Sequence, residues 1–230
     1  MTNFISKVID KLKQWYQAYI LKNPDALLAR DFLKKDKKMD FRHRYTFGPN
    51  PVIFDCGGHN GDWTLKMFNM YRDRNPRIYV FEIVGSFISH LRKRFYNNQD
   101  VHILDFGLGD EDKAIEFSVS SIATSIFSKP AGSATESGKI RDVVGFLEEN
   151  SIRKIDLLKM NIEGGEYELL DRLVTSGAVG FCLNIQIQFH NYGEWSILKR
   201  DKLKEELRKT HVCTYDFEWT FENWQLKEPL

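Results

Sequence analysis

Residues 52–64 read VIFDCGGHNGDWT, and the fold turns on what this stretch becomes. An apolar run closes on an acid, Asp55. Three glycines follow, Gly57, Gly58 and Gly61, and Asp62-Trp63-Thr64 opens an amphipathic run. A strand, a bare turn and a helix in that order form the first half of a βαβ unit. Glycines let backbone or ligand approach such a turn closely, and their spacing decides between the known cradles. Gly57, Gly58 and Gly61 miss the GxGxxG frame, and the loop lacks the lysine of GxxxxGK[ST], so both phosphate-binding patterns lose ground.

The same alternation continues downstream. Strands are predicted at Val52 to Asp55, Arg77 to Glu82, Val101 to Asp105, Ile155 to Ile162 and Phe181 to Phe189. Helices are predicted near Asp62 to Tyr71, Gly85 to Tyr96, Arg141 to Glu149, Glu166 to Thr175 and Trp195 to Lys209. Strands alternating with helices imply right-handed crossovers and a mostly parallel, doubly wound α/β sheet of Rossmann-like form. Between Gly107 and Ser120 the helical period is missing and IEFSVS predicts an extra strand. The aromatic alternation of VCTYDFEWTFENW predicts a closing antiparallel pair at the C-terminal end.

Upstream of Pro51 the pattern differs. Phe4, Ile5, Val8, Ile9, Leu12, Trp15, Tyr16, Tyr19 and Ile20 make one face of a basic amphipathic helix, expected to pack on its own domain, with peripheral membrane contact through residues 4–20 as the second reading. Asn23-Pro24 stops that helix. Arg30 to Arg44 reads as a solvated charged helix or connector. Residues 1–48 are therefore expected to form a helical extension and 49–230 the main domain. The 33 basic and 32 acidic residues nearly cancel, which gives no reason to expect a nucleic-acid partner. Cys56, Cys182 and Cys213 lack zinc or disulfide spacing, and with no leader or membrane-spanning run the expected location is cytoplasmic.

In such sheets a ligand sits at the carboxyl ends of the strands where strand order reverses. Asp55 ends the first strand and Glu82 the second. A carboxylate at the second strand end accepts the two hydroxyls of a ribose, which suits an adenosine with an amino-acid tail, S-adenosylmethionine, and also suits NAD.

The chain from about Pro51 onward resembles the FkbM family of S-adenosylmethionine-dependent methyltransferases. Asp55 to Thr64 is similar to the family's D-x-G-A-N-x-G-D-x-T, Phe81-Glu82-Ile83 to F-E-P, Leu108-Gly109-Asp110 to L-G-D, and IDLLKMNIEGGE (Ile155 to Glu166) to I-D-L-x-K-x-D-x-E-G-x-E. IQIQFH, Ile185 to His190, resembles the fifth strand, which ends in a carboxylate and a histidine. The resemblance implies a seven-stranded methyltransferase sheet and O-methyl transfer to a hydroxyl of a sugar, glycan or polyketide-like acceptor. His59, Asn60, Ile83, Asn161 and Gln188 depart from the pattern and mark a variant subgroup. Two carboxylates are lost at Asn161 and Gln188, so no metal is expected, because a hard cation wants several carboxylate oxygens.

The residues expected to hold the donor are Asp55, Gly57, Gly58, His59, Gly61, Glu82, Phe106, Gly107, Leu108 and Asn161. His190 is the expected general base, with Asn161 and Glu163 beside it; Glu163 is expected either to cap the following helix or to orient a substrate hydroxyl. Lys159, inside an apolar strand, is expected to pair with an acid at the sheet's edge. Ser121, Thr124 and Ser125, up to Pro130-Ala131-Gly132, read as a loop over the donor. Tyr192, Trp195, Trp219 and Trp224 are candidates to line an acceptor pocket. The rival readings are an NAD-linked oxidoreductase and an inactive nucleoside-binding module.

Overall fold

Along β1 (Val52–Cys56) the side chains alternate between two layers, Phe54 and Cys56 entering one core and Ile53 the other. That period-2 alternation lets one short strand anchor helices on both faces of a sheet. The computed structural model describes residues 24–119, 124–125 and 134–227. The amphipathic segment Phe4 to Ile20 lies outside them, as do Ser121 and Pro130-Ala131-Gly132.

α1 (Pro24–Met39) begins on Pro24, the residue read as a helix stop. Proline is suited to a first helical turn, whose N–H groups have no intrahelical acceptor. β1 then leads through the glycine loop into α2 (Asp62–Tyr71), followed by β2 (Arg77–Phe81), α3 (Gly85–Arg94) and β3 (Val101–Leu104). Next come β4 (Gly107–Gly109), β5 (Lys113–Val119), β6 (Thr124–Ser125) and β7 (Ala134–Asp142), then α4 (Val143–Glu149) and β8 (Leu157–Met160). The chain closes with α5 (Glu166–Ser176), β9 (Asn184–Ile187), α6 (Glu194–Thr210), β10 (His211–Phe217) and β11 (Phe221–Leu226).

The main sheet has seven strands in the order β10-β11-β9-β8-β1-β2-β3. β1 pairs with β2 and β8, β2 with β3, and β8 with β9, all in parallel, while β11 runs antiparallel between β9 and β10. Strand order therefore reverses between β1 and β8, and a ligand crevice opens at their carboxyl ends.

The extra strand expected after Gly107 belongs to something larger. β4, β7, β5 and β6 form a separate four-stranded sheet, with Thr124 and Ser125 paired to Val119 and Ser118 instead of lying in a loop. The helix expected from Arg141 starts two residues later, because Asp142 ends β7 and caps α4 through its carboxylate on the Val144 and Gly145 amides.

The charged stretch after Ala29 is not simply solvated. Phe32 is buried against Phe217 and Phe221, and Arg42 lies over the Phe32 and Phe221 rings. Tyr45 and Phe47 cover the Ile53 face of the sheet, and the Tyr71 hydroxyl fixes this segment, accepting the Tyr45 N–H at 2.7 Å and donating to the His43 carbonyl at 2.8 Å. A few apolar anchors in a basic run are enough to seat it, because lysines keep their charged ends in water while their neighbours are buried. Among the described residues no helix is long and apolar enough to cross a membrane.

Candidate methyl-transfer site

The register of the central strands puts polar residues side by side. Asp55 on β1 lies opposite Lys159 on β8, Lys159 opposite Gln186 on β9, and Gln186 opposite Asn223 on β11. All four are buried. Lys159 Nζ has three acceptors for its three hydrogens: Asp55 Oδ1 at 2.7 Å, the Gly57 carbonyl at 2.8 Å and the Cys56 carbonyl at 3.3 Å. The other Asp55 oxygen accepts from Thr64 Oγ1 at 2.5 Å. The acid that pairs with Lys159 is thus on the central strand, not at the sheet's edge. The pair ties β1, β8, α2 and the first loop carbonyls together.

The glycines of that loop are required by the protein itself. Gly57 has φ 84°, and a Cβ there would collide with the Asn161 carbonyl. A Cβ on Gly58 would enter Val80, and one on Gly61, φ 77°, would press on Leu91 and Phe95. Gly57→Ala combines a left-handed backbone with a backbone clash and is expected to lose more than about 2 kcal/mol of stability. Urea unfolding measures this; a loss below about 1 kcal/mol would mean that the loop relaxes away from β8.

Glu82 closes β2 as expected and is buried. Its Oε1 accepts from the Ile83 amide at 2.8 Å and the Val84 amide at 3.0 Å, and its Oε2 from the His59 amide at 2.8 Å. An ionised carboxylate offers about four lone-pair sites, so roughly one remains for a further donor. His59 has φ 48°, and its exposed ring lies 4.3 Å from the Phe87 centroid. Phe106 packs on Phe81 and Phe146 with Arg141 over its face, Gly107 lies against Ile140 and Ile83, and the Leu108 side chain is buried in the main core.

Asn161, just past β8, donates its backbone N–H to the Cys56 carbonyl, and its Oδ1 is buried without a hydrogen-bond partner. A buried acceptor left unpaired costs about 1–3 kcal/mol, which marks a place where a donor group would be welcome. Two residues on, Glu163 has φ 53° and Gly164 φ 110°. A non-glycine residue held in the left-handed region is a strain that functional sites often keep.

Glu163 does not cap α5. Its Oε2 stands 3.4 Å from His190 Nε2, with the carboxylate side chain 31% exposed. On the other side of the ring, His190 Nδ1 lies 2.9 Å from Oε1 of the fully buried Glu166, which also accepts the His190 backbone N–H at 2.9 Å. Glu166 Oε2 accepts from the Gly164 amide at 2.8 Å. Burial alone would depress the His190 pKa, but hydrogen bonds and charge from Glu163 and Glu166 overcome it and raise it to about 10. Two carboxylates thus hold the imidazole from either side and favour its cationic form. Glu166 was missed as a site residue because, read alone, the second acid of E-x-x-E at a helix start looks like a favourable dipole partner.

Of the aromatic candidates, Trp224 is fully buried core and Trp219 lies under Arg200 at 4.8 Å. Tyr192 and Trp195 stay beside the site. The Tyr192 hydroxyl donates to the Glu163 carbonyl at 2.9 Å.

A sheet of this order, with its crevice between β1 and β8, a glycine loop, a second-strand glutamate and the Asn161–Glu166 corner, coincides with a family match over residues 55–217 to the methyltransferase FkbM domain. The chain belongs to the FkbM methyltransferase family. Its fold is that of methyltransferases of known structure. The FkbM methyltransferase from Methylobacillus flagellatus KT superposes with a TM-score of 0.54 at 13% identity, over 79% of this chain and 44% of that one. This FkbM chain thus spans less than half the length of that relative. Precorrin-6y C5,15-methyltransferase from Geobacter metallireducens GS-15 aligns at 10% identity and TM-score 0.42, over 79% of this chain and 82% of that one. Aeropyrum pernix fibrillarin, with natively bound S-adenosyl-L-methionine, aligns at 10% identity and TM-score 0.43, over 78% and 66%. No curated protein matches the chain.

Proposed function

We propose that this FkbM protein transfers a methyl group from S-adenosylmethionine to a hydroxyl of a sugar, glycan or polyketide-like acceptor. The observation that carries this reading is the buried, unpartnered Oδ1 of Asn161 beside the glycine loop. The donor's α-ammonium is a hydrogen-bond donor of the kind that oxygen lacks. Glu82 keeps acceptor capacity for a ribose hydroxyl, and the backbone of Gly57 to Gly61, with the His59 and Phe106 rings, borders the nucleoside. The donor supplies a methyl on a sulfonium, a group that reacts with a hydroxyl held in line with it.

The chain's own residues then have two tasks, to orient the acceptor oxygen and to take its proton. Glu163 is the exposed carboxylate of the trio and accepts the hydroxyl proton. His190, cationic and bound to Glu166, holds Glu163 in its left-handed backbone position from behind. Asn161 and Gln188 offer amides where carboxylates would serve a hard cation, and Glu163 and Glu166 are both turned onto His190.

S-adenosylhomocysteine is expected to raise the thermal midpoint, and NAD is not. Asn161→Leu is expected to weaken S-adenosylhomocysteine binding by about tenfold or more in calorimetric titration, since a hydrogen bond to a charged group is lost. Stabilisation by NAD alone would move the assignment to an oxidoreductase. Binding without methyl transfer to any hydroxyl acceptor would leave a nucleoside-binding module.

A further inference from the structure

We propose that Arg94, the last residue of α3, is a positioning residue for the methyl donor: its guanidinium clamps the outer half of the glycine loop and so fixes the orientation of the Glu82 carboxylate. That the loop's ligand is the donor rests on the methyl-transfer reading; the clamp on the loop does not.

The two halves of the loop are held differently. The Gly57 and Gly58 amides donate to the Phe81 carbonyl at 3.0 and 3.3 Å, and the Gly57 carbonyl accepts from Lys159, so the first half belongs to the sheet. His59 stands off it, exposed and in the left-handed region at φ 48°. Such a conformation costs energy and persists only where its neighbours enforce it. Arg94 supplies that constraint from outside. Its Nη1 donates to the Asn60 carbonyl at 2.5 Å, and its Nη2 lies 2.8 Å from Asp62 Oδ1. Asn60 in turn closes on Asp62, its Oδ1 accepting the Asp62 amide at 3.1 Å and its Nδ2 donating to Asp62 Oδ2 at 2.9 Å. One planar guanidinium thus grips both the loop and the first residue of α2, a two-point contact that an ammonium cannot copy.

So close a grip is possible because the loop carries no side chain toward α3. Leu91 and Phe95 fill the space that a Cβ on Gly61 would need, and Arg94 projects from the same turn, where the helix dipole favours a cation. Of its two partners the carbonyl matters more. Asp62 is 71% exposed, and an ion pair with so wet a carboxylate contributes little, whereas the part-buried carbonyl loses a charged donor when Arg94 is removed. The effect reaches the donor through His59. Its amide, one residue before the clamped carbonyl, donates to Glu82 Oε2 at 2.8 Å. A loop that swings away from Arg94 takes that amide with it, and the second oxygen of Glu82 is no longer aimed.

Amide hydrogen exchange, followed by NMR on the whole protein without ligand, tests the clamp. Arg94→Met is expected to speed exchange of the His59 and Gly61 amides about tenfold while the β1 and β8 amides keep their wild-type rates. In calorimetric titration the same variant is expected to bind S-adenosylhomocysteine about tenfold more weakly. Arg94→Lys is expected to recover part of both effects, and Asp62→Asn to change the affinity less than about twofold. The clamp is overturned if the loop amides exchange as in the wild type, or if the β1 and β8 amides speed up by the same factor, which is a general loss of stability. Faster loop exchange with unchanged affinity overturns the positioning role, and an Asp62→Asn loss as large as that of Arg94→Met overturns the assignment to the carbonyl. Failure of the wild type to bind S-adenosylhomocysteine would sink the methyl-transfer reading, and the exchange rates would still decide the clamp.

Discussion

Replacing Lys159 by methionine is expected to lower stability by about 3–5 kcal/mol, the cost typical of stranding one member of a buried ion pair. A domain is held by only about 5–15 kcal/mol, so the variant would sit near the edge of folding. The size of the effect follows from position. Lys159 and Asp55 are cross-strand neighbours at the centre of the seven-stranded sheet, both buried, and Lys159 also bonds the Cys56 and Gly57 carbonyls at the start of the glycine loop. Removing the ammonium leaves Asp55 with Thr64 alone and leaves a loop carbonyl without its 2.8 Å donor. The double variant Asp55→Leu, Lys159→Met removes both charges and is expected to regain most of the loss, because a buried pair exchanged for apolar volume is often near neutral. Urea unfolding of the two single variants and the double gives the coupling directly. A single-variant loss under about 1 kcal/mol, the range of an exposed pair, would mean that water reaches the site.

How far this arrangement was legible in the sequence depends on how local its causes are. VIFDCGGHNGDWT gave the first strand, the turn and the start of the helix at Asp62, since alternation and glycine spacing act within a few residues. The parallel core followed from the same logic, and VCTYDFEWTFENW did form the antiparallel closing pair. The four-stranded second sheet was hidden because its strands pair across 107–142, and only β5 carries an apolar alternation of its own. The buried row Asp55, Lys159, Gln186 and Asn223 was hidden for a related reason. Each residue is a lone polar letter in an apolar strand, and only the register shows that the four are neighbours. Glu166 shows the limit at the site. Its charge looks helix-favouring in sequence, and its partner His190 lies 24 residues away.

That partnership makes the stability of the protein pH-dependent on the alkaline side. The His190 pKa is raised to about 10 in the folded chain, against a usual value near 6.5. A raised histidine contributes fully where it is protonated in both states, below about pH 6.5. As pH climbs, the unfolded chain gives up this proton first, and the contribution falls steadily until the folded imidazolium itself titrates near pH 10. The whole contribution is on the order of 5 kcal/mol, the free energy equivalent of the shift. Other groups ionise in the same window, so the informative quantity is the difference between the wild type and Glu166→Gln. That substitution removes the buried carboxylate that faces Nδ1, while Glu163 still faces Nε2. Wild-type stability measured by urea unfolding is expected to exceed that of Glu166→Gln most at pH 6 and to approach it toward pH 10. The NMR titration of His190 in the wild type should show no midpoint below pH 8.5. A midpoint near 6.5 would return the residue to the role of free base, whereas a high one leaves Glu163, the exposed member of the trio, as the group that takes the acceptor's proton.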